Sequence, residues 1–271
     1  ARVINASYPV CNRTVTGLGM INLNVTSATG VTISLTVNPV AAPDNAATAS
    51  PFSKRSSSVF NVEVSYADGT TKTFSSSSVY DDRASFEITS GSSYATLSTN
   101  TLTVNSGVST GTVTVEVSFP DVYNTLFAST TMDIIQFSYA TLTATAYPSG
   151  GSVSTLYALG CSGVYQRLLL TSYGYLSNGD YKSIHSYSSF AADTSDYVAF
   201  DSSRVVYGVA EGVANITATY QSKHYSSLII TVSPDSVDVS SISITSLSDN
   251  TFADVISSDY TLSIRVDFSD G

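Results

Sequence analysis

One stretch of this sequence is written twice. Phe60-Asn-Val-Glu-Val-Ser-Tyr-Ala-Asp-Gly69 and Leu262-Ser-Ile-Arg-Val-Asp-Phe-Ser-Asp-Gly271 share their apolar phase and their closing Asp-Gly, 202 positions apart. Gly107-Val-Ser-Thr-Gly111 with its following run to Phe119 matches Gly208-Val-Ala-Glu-Gly212 with its run to Tyr220, 101 positions apart. A looser match sets Ala67–Phe74 against Ser177–Ile184 at an offset of 110, which implies an insertion in the second copy near Gly160–Gln166. The repeating unit is therefore about 100 residues, and each copy must fold as one supersecondary assembly.

The runs inside the repeat alternate with a period of two. Phe60, Val62, Val64 and Tyr66 are interleaved with Asn61, Glu63 and Ser65; Val113, Val115, Val117 and Phe119 with Thr114, Glu116 and Ser118. Ile216, Ala218 and Tyr220, and Leu262, Ile264, Val266 and Phe268, follow the same rule. Such alternation gives a strand one dry face and one wet face. Ala67-Asp-Gly, Ser177-Asn-Gly and Ser269-Asp-Gly mark turns between runs. The expected fold is all-β: tandem immunoglobulin-like β-sandwiches with partial domains at both ends. The expected boundaries are closing strands of a preceding or shared domain at 1–29, complete domains at 30–134 and 135–235, and opening strands of a further domain at 236–271. The second complete domain is expected to carry its insertion near 157–181. Val3-Ile-Asn-Ala-Ser-Tyr8 matches Asn215-Ile-Thr-Ala-Thr-Tyr220, which is why the first segment reads as a closing half. The two end segments together are shorter than one copy. That favours a window onto a longer array over strand donation between subunits.

The stretch Val205-Val-Tyr-Gly-Val-Ala-Glu-Gly-Val-Ala-Asn-Ile-Thr-Ala-Thr-Tyr220, followed by Leu228-Ile-Ile-Thr-Val232, resembles the closing half of group 2 bacterial immunoglobulin-like domains. Gly107–Gly111 with Thr112-Val-Thr-Val115 is a weaker version of the same motif. The similarity covers about half of each complete domain. Two departures stand against it: the chain has no Trp, and Cys161–Asp180 matches no part of the family pattern. The resemblance implies sandwiches used in tandem on adhesins, envelope proteins and appendages, and it implies no catalytic residues.

Composition narrows the setting. Lys+Arg number 11 against 21 Asp+Glu, a net charge of −10, which disfavours nonspecific binding to nucleic acid or to an anionic membrane. No apolar run approaches the roughly 18 residues of a membrane span. No initiator Met or signal peptide is read, so the N-terminus is expected to be processed or a cut. Four N-x-[ST] sequons, at Asn5, Asn12, Asn24 and Asn215, read as N-glycosylation sites. Close to a third of the residues are Ser or Thr, and together with the sequons this points to an extracellular or cell-surface protein. Cys11 and Cys161 fall in different copies. A disulfide between them needs the array to fold back or two chains to meet.

The chemistry-bearing residues form no site. Gly107-Val-Ser109-Thr-Gly111 fits a nucleophile-elbow pattern, but a strand follows it and Ala210 replaces Ser109 in the other copy. His185 and His224 are the two histidines, without companion ligands, and read as outward polar residues. Asp81-Asp82 reads as a solvated pair, and Glu63, Glu87, Glu116 and Glu211 lack a shared cleft. No catalytic, metal or cofactor residue is assigned, and no enzymatic activity is expected. Tyr157, Tyr165, Tyr173, Tyr175 and Tyr181 crowd one segment and form a candidate partner surface. The expected function is a glycosylated structural repeat protein of a fibre, filament or surface appendage. It would self-associate head-to-tail or with neighbouring copies and carry covalent glycans. The alternative is a cell-surface adhesin that binds glycan or receptor through the second domain.

Overall fold

The structure is a computed structural model that describes residues 2–10, 13–21, 26–74, 84–120, 125–148, 150–160, 162–202, 204–247 and 262–269. Among these residues the elements are strands and two single-turn 3-10 helices, and no helix is long and apolar enough to cross a membrane. The chain divides into two compact units, Ala1–Asp44 with Lys54–Ile135, and Asn45–Ser53 with Gln136–Gly271.

In the first unit β1 (Arg2–Val10) and β2 (Arg13–Ile21) pair antiparallel as a sheet of their own. There follow β3 (Ala28–Leu35), β4 (Ser57–Tyr66), β5 (Thr71–Phe74), β6 (Ser85–Ser90), β7 (Ala95–Ser98), β8 (Thr101–Val104), β9 (Gly111–Pro120) and β10 (Thr125–Ile134). One layer runs β3-β4-β8-β7, with β5 also on β4, and the other runs β10-β9-β6. The alternation explains the layering. Phe60, Val62 and Val64 of β4 and Val113, Val115, Val117 and Phe119 of β9 are all buried, while Glu63 is exposed. At roughly 1.5–3 kcal/mol for each fully buried side chain of this size, that face is the main stabilising feature of the unit.

The second unit contains β11 (Phe137–Ala146), β12 (Thr155–Leu159), β13 (Val164–Tyr165), β14 (Arg167–Leu176), β15 (Tyr181–Ser183), β16 (Ser188–Ala192), β17 (Val198–Phe200), β18 (Val205–Gly208), β19 (Gly212–Tyr220), β20 (His224–Val237), β21 (Val239–Leu247) and β22 (Leu262–Phe268). Its layers run β11-β14-β18-β17, with β15 on β14, and β13-β12-β20-β19-β16; β21 and β22 form a separate pair. This is the first unit's strand order again, with β11, β14 and β15 for β3, β4 and β5, and β19 and β20 for β9 and β10. Both units are immunoglobulin-like β-sandwiches. Even the parallel contact is shared: β12 pairs parallel with β20, and Val40 bridges Ile134 in parallel.

The matched turns have matched chemistry. Asp68 Oδ1 accepts from the Thr70 amide and hydroxyl, and Asn178 Oδ1 accepts from the Asp180 amide. Gly69 (φ 83°) and Gly179 (φ 90°) then take the left-handed conformation that closes each hairpin. Phe74 and Ile184, at equivalent places after the turn, are both buried. The Thr70 hydrogen bonds hold the Asp68 carboxyl below the ordinary carboxylate range.

Two expectations are corrected. Residues 157–181 are not an insertion, because Arg167–Leu176 is the counterpart of β4 and Tyr181–Ser183 that of β5. The strand registers equate Val31 with Ala140 and Val64 with Gly174, so the offset of about 110 is already present at the first strand of the second copy. Nor is 30–134 one uninterrupted domain, since Asn45–Ser53 belongs to the second unit. There Asn45 Oδ1 accepts from the amides of Ala47 (3.0 Å) and Phe137 (2.9 Å). Ala47 and Phe52 are buried, and Phe52 meets Phe137 edge-on with centroids 5.9 Å apart. The Tyr220 hydroxyl donates to Ser50 O (2.8 Å) and Ala46 O (3.3 Å).

Candidate interaction surfaces

The five tyrosines expected to act together separate into two groups. Tyr157 lies on β12, its amide donating to Gln166 Oε1 at 3.1 Å, and Tyr165 on β13 packs against the core. Tyr173 and Tyr175 lie on the outer face of β14, alternating with buried Ser172 and Leu176. Tyr181 on β15 is directly opposite Tyr175, and Tyr139 on β11 is directly opposite Tyr175 from the other side. The result is a row across three strands. Tyr139 and Tyr175 stack at 4.5 Å and 8°, Tyr175 and Tyr181 at 5.5 Å and 24°, and Tyr173 meets Tyr181 at 6.2 Å. Sequence reading missed Tyr139 because a bulge between Phe137 and Tyr139 shifts the phase of β11.

The row constrains its own use. Tyr175 has a ring against each of its faces, so neither face can take a sugar. Tyr139 and Tyr181 each have one face turned away from Tyr175, and both are exposed. The surface offers ring edges and hydroxyls more than stacking platforms, which suits a protein partner or the hydroxyls of a glycan better than the flat face of a pyranose.

Asn215 lies on the outer face of β19, with Ala214, Ile216 and Ala218 buried behind it. Its amide donates to Asp193 Oδ1 (3.0 Å), and its carbonyl accepts from the Asp193 amide (3.0 Å). Directly opposite it is Ile229, which is exposed, as is Val213 on the same strand. A glycan on Asn215 would leave the core intact and lie over these two aliphatic side chains. Asn5 is on β1 opposite Leu18. Asn12, Asn24, Cys11, Cys161 and the Asp81-Asp82 pair lie outside the described residues.

The remaining candidates are placed as follows. Ser109 is exposed in the loop that runs straight into β9, with no helix after it. Glu87 and Glu116 face each other across β6 and β9 on an open sheet surface, and Glu211 is exposed before β19. Among the described residues no group of three or more His, Cys, Asp or Glu could hold a metal. His224 is not simply outward. Its ring lies 4.2 Å from that of Phe137, and burial, aided by Lys223, holds its pKa below the usual value. Ser183 Oγ lies 2.6 Å from His185 Nδ1, and burial, with Arg204 adding to it, lowers that imidazole too.

No protein-family model matches the chain, and no curated protein matches it. Among solved structures it is similar to the intimin mutant of EHEC O157:H7, with 14% identity, 41% of this chain and 52% of that one covered, and a TM-score of 0.27. Surface layer protein SbsC, domains 1–6, gives 16% identity, 86% and 30% coverage, and a TM-score of 0.33. A SusE-like surface located polysaccharide binding protein from Bacteroides thetaiotaomicron gives 10% identity, 79% and 35% coverage, and a TM-score of 0.24. The chain spans about half of the intimin structure and about a third of the other two. The fold assignment rests on the strand order and registers above.

Proposed function

We propose that this chain is a structural repeat segment of an extracellular, glycosylated fibre or surface appendage, with a sandwich of the group 2 bacterial immunoglobulin-like type as its building block. The observation that carries the reading is the strand-for-strand duplication of one sandwich, down to equivalent turn hydrogen bonds, with no catalytic constellation among the described residues. Repeats of this kind supply length and binding surface where an enzyme would supply a cleft. The placement of Asn215 on an outer face fits a glycosylated protein. Electron microscopy of the natural material is expected to show filaments, and intact mass before and after enzymatic removal of N-glycans is expected to fall. A particle without filaments and with unchanged mass defeats the reading.

The tyrosine row supports an adhesin as the second reading. Replacing Tyr139 and Tyr181 together by Ser is then expected to abolish attachment while filaments persist. Attachment unaffected by the double change removes that reading.

A further inference from the structure

We infer that the sugar carried by Asn215 is part of the fold: its first pyranose lies with its C–H face on Ile229 and Val213 and covers an apolar patch of the second unit. The inference rests on the glycoprotein reading and deepens it, from a residue that bears a glycan to the surface that the glycan fills.

The geometry starts from the main chain of β19. A strand residue points its N–H and its C=O to the same side. The Asn215 amide donates to Asp193 Oδ1 and its carbonyl accepts from the Asp193 amide, both at 3.0 Å. Both groups are therefore used on the β16 side, and Asn215 meets Ile229 of β20 as a non-hydrogen-bonded pair. That is the close kind of cross-strand pair, with Cα atoms about 4.5 Å apart, so whatever Asn215 carries begins beside the Ile229 side chain. Val213 lies two positions before Asn215 on the same face, and Thr217, the sequon hydroxyl, two positions after it. Ile229 is 62% exposed and Val213 54%, while Asn215 between them is half-buried.

The first unit supplies the comparison. The 101-residue offset sets Val213, Asn215 and Thr217 on Thr112, Thr114 and Glu116. The registers then set Ile229, opposite Asn215, on Thr131, opposite Thr114. Burial is the same at each matched position: Thr112 and Thr131 are exposed, and Thr114 is half-buried. Only the chemistry differs. Where there is no acceptor asparagine the two exposed places hold threonine, and where there is one they hold valine and isoleucine. Threonine is itself a good strand former, so strand propensity does not call for the aliphatic pair. Apolar surface left in water is unfavourable, and a pyranose is the occupant already tethered beside it. Its ring offers C–H groups to the two side chains and keeps its hydroxyls in water.

In natural material the peptide that contains Asn215 is expected to carry sugar by mass spectrometry. The 271-residue chain is then made in a host with N-glycosylation and in one without it, and followed by thermal unfolding. Thr217→Ala removes the acceptor and keeps Asn215. It is expected to lower the midpoint by about 2–4 °C more in the glycosylated chain than in the unglycosylated one. Ile229→Thr, which restores the residue of the first unit, is expected to reduce that difference by at least half. Nuclear Overhauser contacts between the Ile229 methyls and the first sugar are expected in the glycosylated chain, a readout independent of stability. Sugar on Asn215 with neither contact nor coupling overturns the cover and leaves the glycoprotein reading standing. An unmodified Asn215 in natural material overturns the cover, and a mass that also does not fall on N-glycan removal defeats the glycoprotein reading with it. Copies of the unglycosylated chain that dissociate on Ile229→Thr in light scattering make a second copy the occupant and overturn the saccharide.

Discussion

Tyr220 ends β19 with its ring in the core and its hydroxyl on the main chain of the Asn45–Ser53 segment. Burial, with Tyr187 nearby, pushes that phenol up to about 12, so it remains a donor at any working pH. Tyr220→Phe keeps the ring and strands the Ser50 carbonyl, and is expected to cost about 1–3 kcal/mol in urea denaturation. His224 sets a pH dependence. Its folded pKa lies below its unfolded one, so as pH falls through about 6.5 the unfolded chain takes up the proton first. Stability is expected to be level above that value and to decline below it until the folded imidazole also titrates. His185 acts in the same direction, so His224→Gln is expected to reduce the slope between pH 5 and 7 without abolishing it, as followed by thermal unfolding. Glu87 and Glu116 are like charges directly opposed, and Glu87→Lys is expected to gain roughly 0.2–1 kcal/mol.

At the scale of elements, the second glycine of the repeated loop has a reason that sequence matching did not supply. A Cβ on Gly111 would lie 2.8 Å from the ring of Tyr94, and one on Gly212 2.4 Å from the ring of Tyr197. Each strand of the β9 and β19 pair therefore starts beneath an aromatic lid. Tyr94 is exposed enough to shift, so Gly111→Ala is expected to cost about 1 kcal/mol, and Tyr94→Ala to recover part of it in a double-mutant cycle. Gly212 also has φ 154°, so Gly212→Ala is expected to cost more, about 2–3 kcal/mol. The strands with strict alternation, β4, β9, β19 and β22, were legible from residue types alone, as were the two Asx-gated hairpins. β12 was not, because Thr-Leu-Tyr-Ala-Leu has too short a pattern to declare a parallel partner 76 positions later, from Thr155 to Thr231. The Tyr139–Tyr175–Tyr181 row depends on a register that no spacing rule contains. The role of Asn45–Ser53 depends on one asparagine side chain that accepts both from the local Ala47 amide and from the distant Phe137 amide.

For the whole molecule, the governing quantity is a net charge of −10. Copies of such a chain repel one another at low ionic strength. Association is therefore expected to strengthen from about 10 mM to about 150 mM salt as the Debye length shortens from roughly 30 to 8 Å, and to strengthen again on acidification as carboxylates are neutralised. Sedimentation velocity at several salt concentrations measures both trends. Weakening with salt would instead indicate that opposite charges hold the copies together.

The parallel contact between β12 and β20, echoed by Val40 and Ile134, bears on mechanical load. Tension that draws β12 toward its own start and β20 toward its own end slides the two strands past each other. Their cross-links are then strained together, where a hairpin pulled from its open end would unzip one bond at a time. A sandwich wired in this manner is expected to resist stretching along that direction better than one held only by hairpins opened from their ends.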